Sequence, residues 1–478
     1  MHYYIRKFAG ICILALCLAL TEPAPAARAA RLQETGEKIV IVIDPGHGGD
    51  NFGTTENDHE EKHMTMVTAQ AMYDELALYE NVEVHLTRTG DQKLSLKERA
   101  EIAASFDADF LFSIHYNASE THESFGAEAW VSTVAPYNAY GYQFGCEFLK
   151  NMREMGLLVR GVKTRLGDRG DYYGIIRESV ALEIPAMILE HCHVDEKRDQ
   201  SFCSDDAKLA AFGKADADAV AKYFGLKSSA LGVDYSDYQL AEADESAVAP
   251  LTEQDQTAPD VCQIELIRAD YDAGVLTLSV SAADYDSALL YYSYSLDGGN
   301  TFGPREAWPE SDTLTGSYSD TFILDIAVPA GVTPQVVVRA YNMYDFYSNS
   351  NSYNSPQVFY NNVSQKTSAD VIGSAGAVSG KPEGISANNS VQQVISTEDI
   401  SKEEISKEEI SKEEIGAELR DENQNILMIP VDAAIEETSA KSQFSLVKLI
   451  LACLLSLVLL SVVIFIFQSL ADRNRRKR

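Results

Sequence analysis

Cationic side chains are scarce in this 478-residue chain: 39 lysines and arginines stand against 72 aspartates and glutamates, a formal charge of −33. So acidic a surface excludes recognition of nucleic acid or anionic lipid through a basic face, and its simplest consequence is solubility. Cysteine is equally thin. Of seven, Cys12 and Cys17 fall in an N-terminal apolar run and Cys453 in a C-terminal one, leaving Cys146, Cys192, Cys203 and Cys262. Their spacing shows no disulfide framework, and a chain of this length needs no such staples, so a small cross-linked scaffold is excluded. A Cys192–Cys203 bridge is the pairing left open. Residues 361–443 are short of apolar side chains and rich in Ser, Ala, Asn and Glu, which predicts a disordered or weakly helical stalk. Within it ISKEEISKEEISKEE repeats a pentapeptide, and that period does not match the helical one of about 3.6, so its isoleucines form no stripe.

Long hydrophobic runs are confined to the two ends. After Arg6 and Lys7, an apolar run from Phe8 to Leu20 leads into TEPAPAARAA, with small residues at Ala27 and Ala29. This reads as a secretory signal over residues 1–29, its core too short to favour an anchor. Residues 449–470, LILACLLSLVLLSVVIFIFQSL, carry no charge and reach the roughly 20 residues that cross a bilayer as a helix. The basic tail 471–478, ADRNRRKR, follows at once, and the positive-inside rule puts it in the cytoplasm. The expectation is a cell-membrane protein with a single span and everything between the two signals outside the cell.

Residues 38–226 alternate strand-like and helix-like segments. KIVIVID (38–44), NVEVHLTRT (81–89), residues 109–115 and IPAMILE (184–190) are short apolar runs, separated by helical spacing over Met64–Tyr79 and Leu94–Ala104. This predicts an α/β domain with a largely parallel sheet flanked by helices. IVIVI and FLFSI are apolar at consecutive positions, as strands covered on both faces must be. From residue 257 to 360 the texture becomes alternating apolar and polar, with a turn at Asp297-Gly298-Gly299, which predicts a small antiparallel β-sandwich of immunoglobulin or fibronectin type III architecture. With Cys262 alone it lacks an inter-sheet disulfide. Such a module is either a binding element for an unknown ligand or a spacer.

Chemistry-bearing residues sit where the predicted strands end. IVIVIDPGHGG delivers His47, FLFSIHYNA delivers His115, and AMILEHCH delivers Glu190; in open parallel sheets the site lies beyond the carboxyl ends of the strands. Zinc in catalytic sites takes three protein ligands and leaves a fourth position to water, so two histidines with a carboxylate such as Glu61 meet the count. His59-Glu60-Glu61-Lys62-His63 also matches H-E-x-x-H. That motif needs a buried helix, whereas here NFGTTEND precedes it as loop and cap material and helical spacing begins at Met64, so the stretch reads as a frayed first turn.

The blocks IVIDPGHGG, EEKHMTMVTAQAM, LTRTGDQKLSLKERAEIA, ADFLFSIHYNAS, RGVKT with YYGIIRES, and IPAMILEHCHVD resemble, in order and spacing, the zinc-dependent N-acetylmuramoyl-L-alanine amidases. The resemblance covers about residues 38–226. It implies peptidoglycan as substrate, Zn2+ as cofactor, His47, Glu61 and His115 as zinc ligands, and Glu190 as the catalytic glutamate. Glu60 is the alternative ligand if the register slips, and His59 and His63 become bystanders. Asp44 would orient His47 or simply end its strand. Two departures stand out: His191, Cys192 and His193 follow Glu190 where relatives carry a small residue and a phenylalanine, and Thr65 replaces a frequent asparagine. The alternatives in function are an inactive wall-binding scaffold and a zinc peptidase that cuts stem peptides.

Overall fold

Apolar residues at consecutive positions put the central strands of the first half under cover on both sides. The computed structural model describes residues 38–56 and 59–360. In chain order the elements are β1 (Ile39–Pro45), α1 (Glu61–Leu76), β2 (Val82–Leu86), α2 (Leu96–Ser105), β3 (Phe110–Asn117), β4 (Ala127–Trp130), α3 (Tyr137–Glu154), β5 (Val159–Lys163), α4 (Gly174–Ala181), β6 (Ala186–His193), α5 (Lys197–Cys203) and α6 (Asp206–Tyr223). They build a six-stranded sheet of order β2-β1-β3-β6-β4-β5. All pairings are parallel except β6 with β4, so the sheet is mixed, with one antiparallel step beside Glu190. Ile39, Ile41 and Ile43 face Met64 and Met72 of α1 and Phe212 and Val220 of α6, while Val42, Leu111 and Ile188 face Ala103 of α2 and Ile175 and Ile176 of α4. Each of these side chains apart from Ala103 contributes roughly 1.5–3 kcal/mol by leaving water.

The helix ends show which signals were local. Ser95 caps α2 in a capping box, its hydroxyl accepting from the Glu98 N–H while the Glu98 carboxylate accepts from the Ser95 N–H at 2.8 Å. α1 begins three residues before the apolar spacing does. No side chain caps it; the Glu61 and Lys62 N–H groups donate instead to the carbonyls of Thr54 and Phe52, each at 3.0 Å. Loop carbonyls thus satisfy donors that would otherwise be orphaned.

In the second half every pairing between the strands named below is antiparallel. β7 (Val261–Asp270), β8 (Val275–Ala283) and β11 (Thr321–Ala327) form one sheet; β9 (Leu289–Ser295), β10 (Glu306–Ala307), β12 (Gln335–Asn342) and β13 (Tyr347–Asn349) form another, with β14 (Tyr353–Asn354) on β12. Leu276, Leu278 and Val280 of the first sheet and Val336, Val338 and Ala340 of the second share one core, closed by Trp308 and Phe359. Cys262 is a free thiol, as are Cys146, Cys192 and Cys203; Cys192 and Cys203 face one another without a bridge.

The signal at 1–29, the stalk at 361–443, the span at 449–470 and the tail at 471–478 lie outside the described residues. Among the described residues no helix is long and apolar enough to cross a membrane.

Candidate active site

The loop after β1 is built around the carbonyls of Pro45, Gly46 and His47. Arg88 donates to Pro45 O at 2.9 Å and Gly46 O at 2.8 Å, and Arg99 donates to Pro45 O at 2.7 Å and His47 O at 2.6 Å. Thr65 adds a hydroxyl bond to Gly46 O at 2.9 Å, which accounts for a small hydroxyl residue at this position of α1. His47 is held at φ 62, a left-handed conformation that costs a non-glycine residue about 1–3 kcal/mol. Gly46 has to be glycine for a steric reason: a Cβ there would lie 2.4 Å from the His115 ring.

These restraints aim three side chains at one point. His47 Nε2 lies 3.0 Å from Glu61 Oε2, and His115 Nδ1 lies 3.1 Å from Glu61 Oε1. One ligand atom from each of the three residues falls within 4.8 Å of the others. Glu61 enters this cluster because it is the first residue of α1, and its carboxylate also accepts from the N–H groups of Thr54 at 2.9 Å and Tyr116 at 3.0 Å. Burial opposes its ionisation, yet the two imidazoles, His47 first, hold its carboxyl well below the usual range. His47 Nδ1 bonds Asn51 Oδ1 at 3.0 Å, so Nδ1–H donates outward and Nε2 faces the cluster.

Asp44 does a different job from orienting the imidazole. Its carboxylate accepts from Thr87 at 2.5 Å, Arg99 at 2.8 Å and Ser113 at 2.8 Å, and so it steadies the Arg99 guanidinium that grips the His47 carbonyl. Glu60 points outward near Lys62, His63 is exposed beside Asp206, and His59 sits in a two-residue ladder with Glu56 before the helix starts. The H-E-x-x-H residues therefore share no helical face. His191 and His193 are buried and serve the sheet edge: His191 bonds the His115 carbonyl at 3.1 Å and Asp216 at 2.9 Å, and His193 bonds the Gly126 carbonyl at 3.1 Å.

Glu190 pairs directly with His115 across β3 and β6, and with Glu128 across β6 and β4. It lines a cavity of about 190 Å³ that continues toward β5. Sequence reasoning missed the second carboxylate of this floor. Glu128 accepts from Asn117 at 2.7 Å, Trp130 at 3.2 Å, Arg160 at 2.6 Å and Lys163 at 2.7 Å. Burial opposes its charge, but Lys163 and Arg160 hold it well below the ordinary carboxylate range. The only local hint was a charge inside AEAW and two inside VRGVK, strands too short and too polar to register as apolar runs.

A helix-flanked α/β sheet that carries an imidazole–carboxylate–imidazole cluster at its strand ends, with a further carboxylate one strand away, defines a hydrolase-type domain able to hold a metal ion. The family model for N-acetylmuramoyl-L-alanine amidase matches residues 41–222. The N-acetylmuramoyl-L-alanine amidase CwlM of Bacillus licheniformis is 33% identical over 195 residues, which span 40% of this chain and 71% of that protein. The sporulation-specific N-acetylmuramoyl-L-alanine amidase of Bacillus subtilis (strain 168) is 30% identical over 192 residues, 40% of this chain and 70% of its own. Among solved structures, the catalytic domain of CwlV from Bacillus (Paenibacillus) polymyxa var. colistinus is 27% identical and covers 40% of this chain and 99% of that one, at a TM-score of 0.35. The chain belongs to the N-acetylmuramoyl-L-alanine amidase family.

Proposed function

We propose that the protein hydrolyses the amide joining the lactyl group of N-acetylmuramic acid to L-alanine in peptidoglycan, at the outer face of a cell membrane. The observation that carries this reading is the convergence of His47, Glu61 and His115 from three separate elements, beside Glu190 on the adjoining strand. Two imidazoles and a carboxylate that is buried yet ionised suit a catalytic zinc site with one position left over. His47, Glu61 and His115 would hold the ion. Bound there, zinc supplies Lewis-acid polarisation of the scissile carbonyl and lowers the pKa of a water to about 7.

The remaining work falls to side chains. Asn51 keeps the His47 Nδ1 proton engaged, which leaves the Nε2 lone pair toward the cluster. Glu190 accepts a proton from the attacking water as its oxygen bonds to the carbonyl carbon. It returns that proton to nitrogen as the C–N bond breaks, giving the lactyl carboxylic acid and the amine of L-alanine, which become carboxylate and ammonium once the acid's proton passes to the amine. A proton shuttle of this kind is worth about 10²–10⁴ in rate. We assign residues 38–226 to catalysis, 257–360 to an immunoglobulin- or fibronectin-like module, 361–443 to a stalk that sets reach into the wall, and 449–470 with 471–478 to the membrane anchor, after removal of the signal at 1–29.

Mass analysis of purified wall digested by the protein, with and without a chelator, tests this function. The expected products are new L-alanine N-termini and unpeptidated glycan, absent with chelator and absent for Glu190→Ala, which should keep its metal. Cuts elsewhere in the stem identify a peptidase, and no release identifies a wall-binding scaffold. Protease added to intact cells should remove the catalytic domain; full protection would overturn the location.

A further inference from the structure

The cavity beside Glu190 is lined from both halves of the chain. Asn117, Glu128, Trp130 and Lys163 come from the α/β sheet, whereas Tyr344 and Asp345 come from the turn between β12 and β13. That turn is rigidly built. The Asn342 side chain is buried, accepts from the N–H groups of Tyr344 at 3.0 Å and Phe346 at 3.1 Å, and donates to Asp255 at 2.9 Å, Thr257 O at 3.0 Å and Asp284 at 3.1 Å. Asp345 then bridges the halves, accepting from Arg160 at 2.6 Å and from Arg305 at 2.5 Å. Lys163 Nζ lies 5.5 Å from the centroid of Tyr344 and 5.5 Å from that of Trp130, within cation–π range of both.

The surrounding contact is close-packed. Phe125 packs with Leu290, Tyr291 and Tyr341, and the Tyr291 hydroxyl donates to the Phe125 carbonyl. At Gly161, whose φ of 104 disfavours any side chain, a Cβ would meet Met343 Cε at 2.6 Å and Thr313 Cβ at 3.3 Å, so the two halves approach closely there. A spacer has no need of this. Burying Arg160 at this contact, with the half-buried Asp345 as one of its partners, carries a desolvation cost that a passive strut avoids.

We propose that Tyr344 and Asp345 are specificity-determining residues, and that the antiparallel module is the end wall of the substrate cleft rather than a spacer. The cavity's own charges identify the group that enters. Its two cations, Arg160 and Lys163, are matched by Glu128 and Asp345, and Glu190 adds a further negative charge. A carboxylate arriving there would meet Asp345 and Glu190 with no unmatched cation to receive it. An uncharged hydrogen-bonding group is therefore the fitting occupant. On the reading of function given above, it belongs to a muramoyl peptide whose stem carboxylates are amidated.

The test measures equilibrium binding of soluble muramoyl peptides, amidated and free-acid, to the full chain carrying Glu190→Ala, so that it does not depend on turnover and the preference that remains reports Asp345 rather than Glu190. Tyr344→Ala should weaken binding of the amidated fragment about tenfold, the loss of roughly one good contact. Asp345→Asn, which removes the negative charge shared by Arg160 and Arg305, should shift the preference for amidated over free-acid fragment about tenfold toward the acid. Asp312→Ala, which cuts the exposed Arg153–Asp312 pair of the same contact away from the cavity, should change neither. Unchanged affinity and preference in the first two variants would overturn the proposal. So would an equal loss in all three, which marks docking alone. Failure of the amidase reading would appear separately, as an unsubstituted chain, with Glu190 in place, that releases no L-alanine ends from wall.

Discussion

Arg99→Ala is the perturbation whose cost can be worked most directly. Arg99 is buried at the meeting point of Asp44, the Pro45 carbonyl and the His47 carbonyl, at 2.8, 2.7 and 2.6 Å. Removing it leaves the Asp44 carboxylate buried with only the Thr87 and Ser113 hydroxyls, and breaking one side of a buried pair costs about 3–5 kcal/mol. Against a typical total of about 5–15 kcal/mol, that is a large share of the stability. Equilibrium unfolding in urea should register the loss, and Asp44→Asn in the same chain should recover part of it, with a coupling of about 0.5–3 kcal/mol. pH supplies a second check. Burial opposes ionisation of Asp44, but Arg99 and the two hydroxyls hold its carboxyl below the ordinary aspartate range. A carboxyl with a lowered folded pKa contributes stability above its unfolded pKa and loses it as pH falls through the folded one. The parent chain should therefore lose this contribution only below about pH 3.9, and Asp44→Asn should lack that part of the slope. A loss under about 1 kcal/mol for Arg99→Ala, or strict additivity with Asp44→Asn, would refute the reasoning.

Three further outcomes are expected. Asn51→Ala removes the bond from Oδ1 to His47 Nδ1 and should weaken zinc affinity about 10–100-fold, read by competition with a chelating dye, while the unfolding midpoint changes little. Gly53→Ala forces a Cβ to 2.5 Å from Glu61 Oε2 at a φ of 68, and should abolish zinc uptake measured by equilibrium dialysis. Burial pushes the His193 imidazole down to about 4, so its neutral form contributes full stability above the unfolded value near 6.5 and loses it as pH falls toward 4. Burial pushes Asp199 up to about 6, which gives the opposite slope between 3.8 and 6. Unfolding of His193→Gln and Asp199→Asn followed against pH should expose the two slopes separately.

The sequence carried the α/β sheet as far as its strands were apolar runs. Ile39–Ile43 and Phe110–Ile114 declare themselves because both of their faces meet helices and a doubly covered strand is apolar nearly throughout, Ser113 being accommodated by its bond to Asp44. β4 and β5 were not legible for the converse reason, since Glu128, Arg160 and Lys163 are inside them and are tolerated only because they neutralise one another. Fine choices within legible segments also waited on three dimensions. Nothing local separates Glu60 from Glu61; the loop carbonyls of Phe52 and Thr54 set where α1 begins, and that sets which carboxylate turns inward.

What the sequence determined by itself, then, was whatever depends on neighbours along the chain: helix spacing, the capped start at Ser95, the glycine turn that carries His47, and the residue types able to bind a metal ion. Only the tertiary structure decided what depends on neighbours across space. Arg160 and Asp345 are 185 positions apart and make a 2.6 Å contact beside the candidate catalytic carboxylate. No periodicity reports such a pairing, because the cost of burying each charge is cancelled only when the fold brings its partner to it.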